Sequence, residues 1–261
     1  MSSAARTSLG AALASIRDEG RPLLIAYLMA GSTPGWLDVA EQIVLGGADA
    51  LEIGLPFSDP IIDGPVIQEA ATRSIAAGTT MHSALDELAA RRLGVPLIAM
   101  TYCNVVLRHG YAAAAEQLVS AGVAGAIVPD LPLEELDAWQ RPANESGLET
   151  VLLAAPATPP ARLDEICARS QGFVYAVGRM ATTGESTRVD PKGIELVASL
   201  RGRTPLPVCL GIGVSTPAQA AEVCAVADGV IVGSAVVRRM LEGQRPDEVG
   251  RFVAGLREAI G

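Results

Sequence analysis

The sequence predicts an α/β chain closed into a (β/α)8 TIM barrel with an extra N-terminal helix, and three observations carry that prediction. Eight apolar runs of strand length recur along 261 residues, and helical segments separate most of them. Most runs are apolar throughout rather than alternating, as in parallel strands covered on both faces. The turn after the first run reads Ala30-Gly31-Ser32-Thr33-Pro34, without the GxGxxG spacing expected of an open, doubly wound sheet. Regular strand–helix alternation implies a parallel sheet, and eight such units in about 250 residues are what a closed barrel needs. No composition shift marks a second domain, so residues 1–261 read as one barrel domain.

The elements follow in order. Leu9, Leu13 and Ile16 recur at helical spacing and predict a short amphipathic helix lying on the domain. Strands are expected at 23–30, 50–55, 96–102, 125–130, 150–155, 173–177, 207–211 and 228–233. Between them, helical spacing covers 36–45, 66–77, 81–92, 112–121, 133–146, 161–169, 193–201, 217–226 and 236–241, and a last helix runs from about 247 to 259.

Composition removes several function classes. A net charge of −9 lacks the basic face of a nucleic-acid-binding domain. Met1 to Gly20 carries Arg6, Arg17, Asp18 and Glu19 rather than a leader's apolar core, and Leu23 to Ala30 is too short to span a membrane. A cytoplasmic protein is expected. The four cysteines form no CxxC pair; Cys103 and Cys209 sit in or beside apolar runs and read as buried free thiols. The only lysine, Lys192, lies at a helix start, which argues against a Schiff-base aldolase. His82, at a helix start, and His109, in a loop, suggest neither a clustered metal site nor a histidine base; no metal is expected.

The site of such a barrel lies at the C-terminal strand ends. On strand two, alternation puts Leu51, Ile53 and Leu55 on one face and Glu52 with Gly54 on the other. The apolar trio suits the helix layer, so Glu52 points into the barrel, where lost hydration raises a carboxyl pKa into a range useful for proton transfer. The following loop carries Asp59 and Asp63. By themselves these acids read equally well as turn and helix-start residues. Gly211-Ile212-Gly213 after strand seven and Gly233-Ser234 after strand eight each lead into a helix, where bare N–H groups attract phosphate. A phosphorylated small molecule handled by carboxylates is the resulting expectation.

The run from Leu51 to Gln68, LEIGLPFSDPIIDGPVIQ, closely resembles the signature of the tryptophan synthase alpha subunit. Further similarity runs through Met100-Thr101-Tyr102-Cys103-Asn104, through Val128 to Glu135, through Gly211 to Ser215 and through Gly233-Ser234-Ala235, covering nearly the whole chain. The resemblance implies retro-aldol cleavage of indole-3-glycerol phosphate to indole and glyceraldehyde 3-phosphate, with no cofactor on this subunit. It gives the acid/base role to Glu52 and the indole N–H contact to Asp63. It makes Thr183 the partner of Asp63 and places the phosphate on Gly184, Gly213, Gly233 and Ser234; Tyr102 and Tyr175 are pocket residues by position. It also implies a pyridoxal-phosphate beta subunit as partner in an alpha-beta-beta-alpha complex, with the loop at 56–60 and the strand-six loop facing it. A stand-alone lyase releasing free indole is the alternative. Two stretches depart from the family pattern: Gly31-Ser32-Thr33-Pro34 lacks the acidic residue of Gly-Asp-Pro, and Ala181 replaces a usual glycine after the bulky Arg179-Met180.

Overall fold

In the computed structural model, which describes residues 8–178, 180–183, 186–211 and 213–261 (backbone alone for 180–183 and 186–189), one parallel sheet carries the eight expected strands. They span Leu23–Met29, Ala50–Gly54, Leu97–Met100, Val123–Ile127, the pair Glu149–Thr150 and Leu152–Ala154, Val174–Val177, Val208–Gly211 and Gly229–Val232. Strand one pairs with strands two and eight. The ring closes at strand five, which is split at Val151: its first half pairs with strand four and its second with strand six.

Two layers of side chains cover the two faces of the barrel sheet. Outward residues such as Leu24, Leu51, Ile53 and Leu55 pack under the helices. Inward residues such as Leu23, Ile25, Ile98, Ile127, Phe173 and Ile231 fill the lower interior. The N-terminal helix, Leu9–Asp18, does more than lie on the surface. Leu9 and Leu13 are fully buried and join the interior cluster, closing the barrel from below. Space for Leu9 exists because Gly125 and Gly172 have no side chain; a Cβ there would meet Leu9 Cδ2 at 2.5 and 2.7 Å. The chain ends are tied together by Arg257 of the last helix, Pro246–Ile260. It donates to the carbonyls of Pro22 and Gly47 and pairs with buried Asp49.

Several boundaries moved from the sequence expectation. Strand four starts at Val123, two residues early, and the strand-three pairing skips Ala124, a bulge that periodicity does not show. Residues 103–109, read as part of a loop, form a helix, and His109 lies exposed in its last turn. In the loop after strand six, Met180–Thr183 and Ser186–Val189 pair as an antiparallel hairpin. Cys209 is buried as expected, whereas Cys103 is only half-buried.

Candidate active site

The top of the barrel holds a cavity of about 220 Å3, lined among others by Tyr27, Glu52, Asp63, Tyr175, Gly213, Gly233 and Ser234. Glu52 points inward, as strand alternation requires. It is 1% exposed, and its Oε2 has no hydrogen-bond partner among the described residues. Burial, and then the charge of Asp63, push its carboxyl from 4.5 up to about 8. Glu52 therefore carries a proton at neutral pH, in a pocket where an ionised form is poorly solvated.

Asp63 reaches the cavity from the loop that joins strand two to the helix Pro65–Ala76. Gly64, not Asp63, occupies the N-cap position. The Asp63 side chain is instead held by Tyr102, whose hydroxyl donates to Oδ2 at 2.9 Å and accepts from the Ile62 N–H at 3.2 Å. Phe57 stacks on the Tyr102 ring with centroids 5.0 Å apart. Burial raises the Asp63 pKa and the Tyr102 hydrogen bond opposes that rise. The two carboxyls are thus pushed apart in acidity, Glu52 unaided and Asp63 supported by a donor, as in sites that divide acid and base roles. Tyr102 touches the loop that carries Asp63 and is not among the residues lining the cavity. Asp59 stays outside, exposed, accepting from the Ser58 hydroxyl at 2.5 Å.

The two glycine turns differ. Gly233 is the N-cap of the helix Ser234–Leu241, and no side chain caps that helix. Its first N–H groups are open to an anion at the cavity wall. The helix Pro217–Cys224 after strand seven is closed on itself: Thr216 accepts from the Gln219 N–H, and the Gln219 side chain accepts from Ser215 and Thr216. Gly213 still lines the cavity, with φ +79° and nothing within 4 Å of where a side chain would start. No arginine or lysine is among the described lining residues, so an anion here would rest on backbone donors. Gly184 falls outside the described residues, and for Thr183 only the backbone is described, as the last hairpin residue of its strand.

Two features were missed from sequence. Tyr27 lines the cavity beside Glu52, and its place in the strand-one alternation 23, 25, 27 was the available signal. The other is Phe57, for which the sequence offers no signal of stacking. At the departure in the strand-one turn, Ser32 is buried and donates to the Met29 carbonyl at 3.0 Å, while Gly31 at φ +66° passes so close to Thr79 that a Cβ would lie 2.0 Å from its Oγ1. Among the described residues no group of His, Cys, Asp and Glu could hold a metal ion, and no helix is long and apolar enough to cross a membrane.

A family model described as tryptophan synthase alpha chain matches residues 13–254. The tryptophan synthase alpha chain of Streptomyces coelicolor is 45% identical over 240 residues, which cover 90% of this chain and 88% of that one. That of a Synechococcus species is 41% identical over 99% of both chains. Among solved structures, tryptophan synthase from M. tuberculosis in its aminoacrylate-bound form superposes with a TM-score of 0.88 at 34% identity, covering 98% of this chain and 100% of that one. The alpha subunit from Legionella pneumophila gives 0.86 at 32%, covering 97% of each. With the match running from the barrel plug to the last helix, the chain belongs to the tryptophan synthase alpha chain family.

Proposed function

We propose that this barrel cleaves indole-3-glycerol phosphate to indole and glyceraldehyde 3-phosphate through Glu52 and Asp63. The observation that carries the assignment is a buried Glu52, its carboxyl pushed up to about 8, sharing one small cavity with a tyrosine-supported Asp63. The Glu52 carboxyl gives its proton to indole C3, which makes the ring cationic. Asp63, as carboxylate, accepts from the ring N–H where that charge concentrates. The Glu52 carboxylate then takes the proton of the neighbouring glycerol hydroxyl. The carbon–carbon bond to C3 breaks, its electron pair returns to the ring, and the hydroxyl carbon becomes the aldehyde. Glu52 ends protonated, ready for another cycle.

In this reading the phosphate sits on the backbone at Gly233 and Ser234, with Gly213 and Gly184 beside it, and Tyr175 and Thr183 complete the indole side. Tyr102 serves by holding Asp63. The chain works without a cofactor of its own, as a single cytoplasmic domain in an alpha-beta-beta-alpha complex whose beta subunit carries pyridoxal phosphate. Exposed Ile61 and Ile62, 81% and 50% accessible on the site's own loop, support a partner covering that rim.

Indole release by the purified chain, with and without a beta subunit, tests this. Slow turnover alone and strong stimulation by the partner are expected, with activity lost by a factor of about 10^2–10^4 in Glu52→Gln. Rapid turnover indifferent to the partner would support a stand-alone lyase, and activity surviving in Glu52→Gln would remove the assignment.

A further inference from the structure

Tyr27 is the inward residue of strand one in register with Glu52 on strand two. It is 5% exposed and lines the same cavity. Its ring leans across strand two, so that its hydroxyl lies over Gly54, the next inward position after Glu52. A Cβ at Gly54 would sit 2.0 Å from the Tyr27 oxygen. The ring therefore takes this pose only because position 54 is glycine. No hydrogen bond among the described residues engages the Tyr27 hydroxyl, and Glu52 Oε2 is buried without a partner. The enclosed Glu52 oxygen is costly once ionised, and the phenol that lines the same cavity from the adjacent strand, at one level, is a complementary donor.

We propose that the Tyr27 hydroxyl donates a hydrogen bond to the Glu52 carboxylate whenever Glu52 has given up its proton, making Tyr27 a positioning residue for the acid/base group. The proposal rests on the reading of Glu52 as proton donor. No proton leaves Tyr27 at any stage. Burial and the facing carboxylates Asp63 and Glu52 hold its phenol protonated well above the usual range. The other groups facing Glu52 do not supply this bond. Asp63, from the following loop, adds negative charge. The Tyr175 hydroxyl, from strand six, is turned onto strand seven, where a Cβ at Gly211 would be 2.5 Å away. The Tyr102 hydroxyl is bonded to Asp63. Strands three, four, five and eight present apolar Met100, Ile127, Leu153 and Ile231 to the cavity.

The test titrates Glu52 in the intact chain by carbon NMR of labelled glutamate carboxyls, assigned with Glu52→Gln, in wild type and Tyr27→Phe. Phenylalanine keeps the ring but removes the donor. The Glu52 midpoint is expected to rise by about one unit, a tenfold change in its ionisation constant, and kcat to fall about tenfold with KM little changed. Fluorotyrosine placed at position 27, a stronger donor, is expected to move the midpoint the other way, and it serves as the test if the phenylalanine variant does not fold. A midpoint unmoved by both replacements overturns the proposal, as does a fall in kcat with no shift. Should Glu52→Gln retain activity, the catalytic reading fails instead, while the titration still reports whether Tyr27 and Glu52 are coupled.

Discussion

In the proposed mechanism Glu52 sets activity against stability. Its carboxyl titrates near 4.5 when exposed and near 8 in the fold. Between those values the native state binds the extra proton, so stability falls as pH rises through this window; below it the penalty vanishes, and above it the penalty is complete. Glutamine never ionises and escapes the penalty. Urea unfolding of Glu52→Gln and wild type should therefore nearly coincide at pH 5 and separate by several kcal/mol at pH 8.5, with the glutamine variant the more stable. An equal gap at both values would mean that hydrogen bonds hold Glu52 ionised in the fold. The inward aim of Glu52 was legible because Leu51, Ile53 and Leu55 claim the other face. Tyr27 was overlooked because the run Leu23–Ala30 is apolar from end to end, so its alternation is masked even though 23, 25 and 27 face the interior. The distinction between Asp59 and Asp63 was not legible from the loop alone, since it depends on Tyr102 arriving from a different strand.

At the scale of elements, the two glycine turns look alike in sequence and behave differently in three dimensions. The helix after strand seven spends its N-terminal donors on Thr216 and Gln219, whereas the helix after strand eight leaves them facing the cavity. The capping pair could have been read from Thr216 and Gln219, three residues apart; the loop-to-helix change at 103–109 could not, because Val105, Val106 and Leu107 suit a strand equally well. Substituting Ser234→Asp places a carboxylate at the open helix end. An acid there favours the helix itself, by about 0.3–1 kcal/mol, so the element should survive while anion binding suffers. KM for the phosphorylated substrate is expected to rise at least about tenfold with an unchanged melting temperature; unchanged KM would move the phosphate elsewhere. The split strand five makes a second element-scale prediction. Gln171 spans it, its side chain accepting from the Thr150 N–H at 2.9 Å and its own N–H donating to the Thr150 carbonyl at 2.9 Å, while the Ser170 hydroxyl accepts from Leu152 at 3.0 Å. Gln171→Ala should cost about 1–3 kcal/mol in urea unfolding, the penalty for a buried strand N–H left unpaired.

At the scale of the whole molecule, a stabilising plug and the proposed chemistry sit at opposite ends of one barrel. The cavity opens at the C-terminal strand ends, and the helix Leu9–Asp18 closes the other end with Leu9 and Leu13. Between them lies the packed interior layer of Ile25, Ile98, Ile127 and Phe173. That plug was read from sequence only as an amphipathic helix on the surface, because periodicity reports which face is apolar and not what the face enters. Its depth depends on Gly125 and Gly172, distant in the chain, having no side chains. Leu13 is fully buried, so Leu13→Ala removes packed methyl groups and leaves a void, at a cost of about 2–5 kcal/mol. For a chain of this size that corresponds to a melting temperature lower by roughly 5–15 °C. The void opens away from Glu52 and Asp63, and the intervening layer is close-packed, so kcat for indole release at 25 °C should stay within about twofold of wild type. Thermal unfolding and initial rates on the same preparation decide the matter. A large loss of kcat without a lower melting temperature would mean that the plug sets the geometry of the site, and the division between a stabilising floor and a catalytic rim would have to be abandoned.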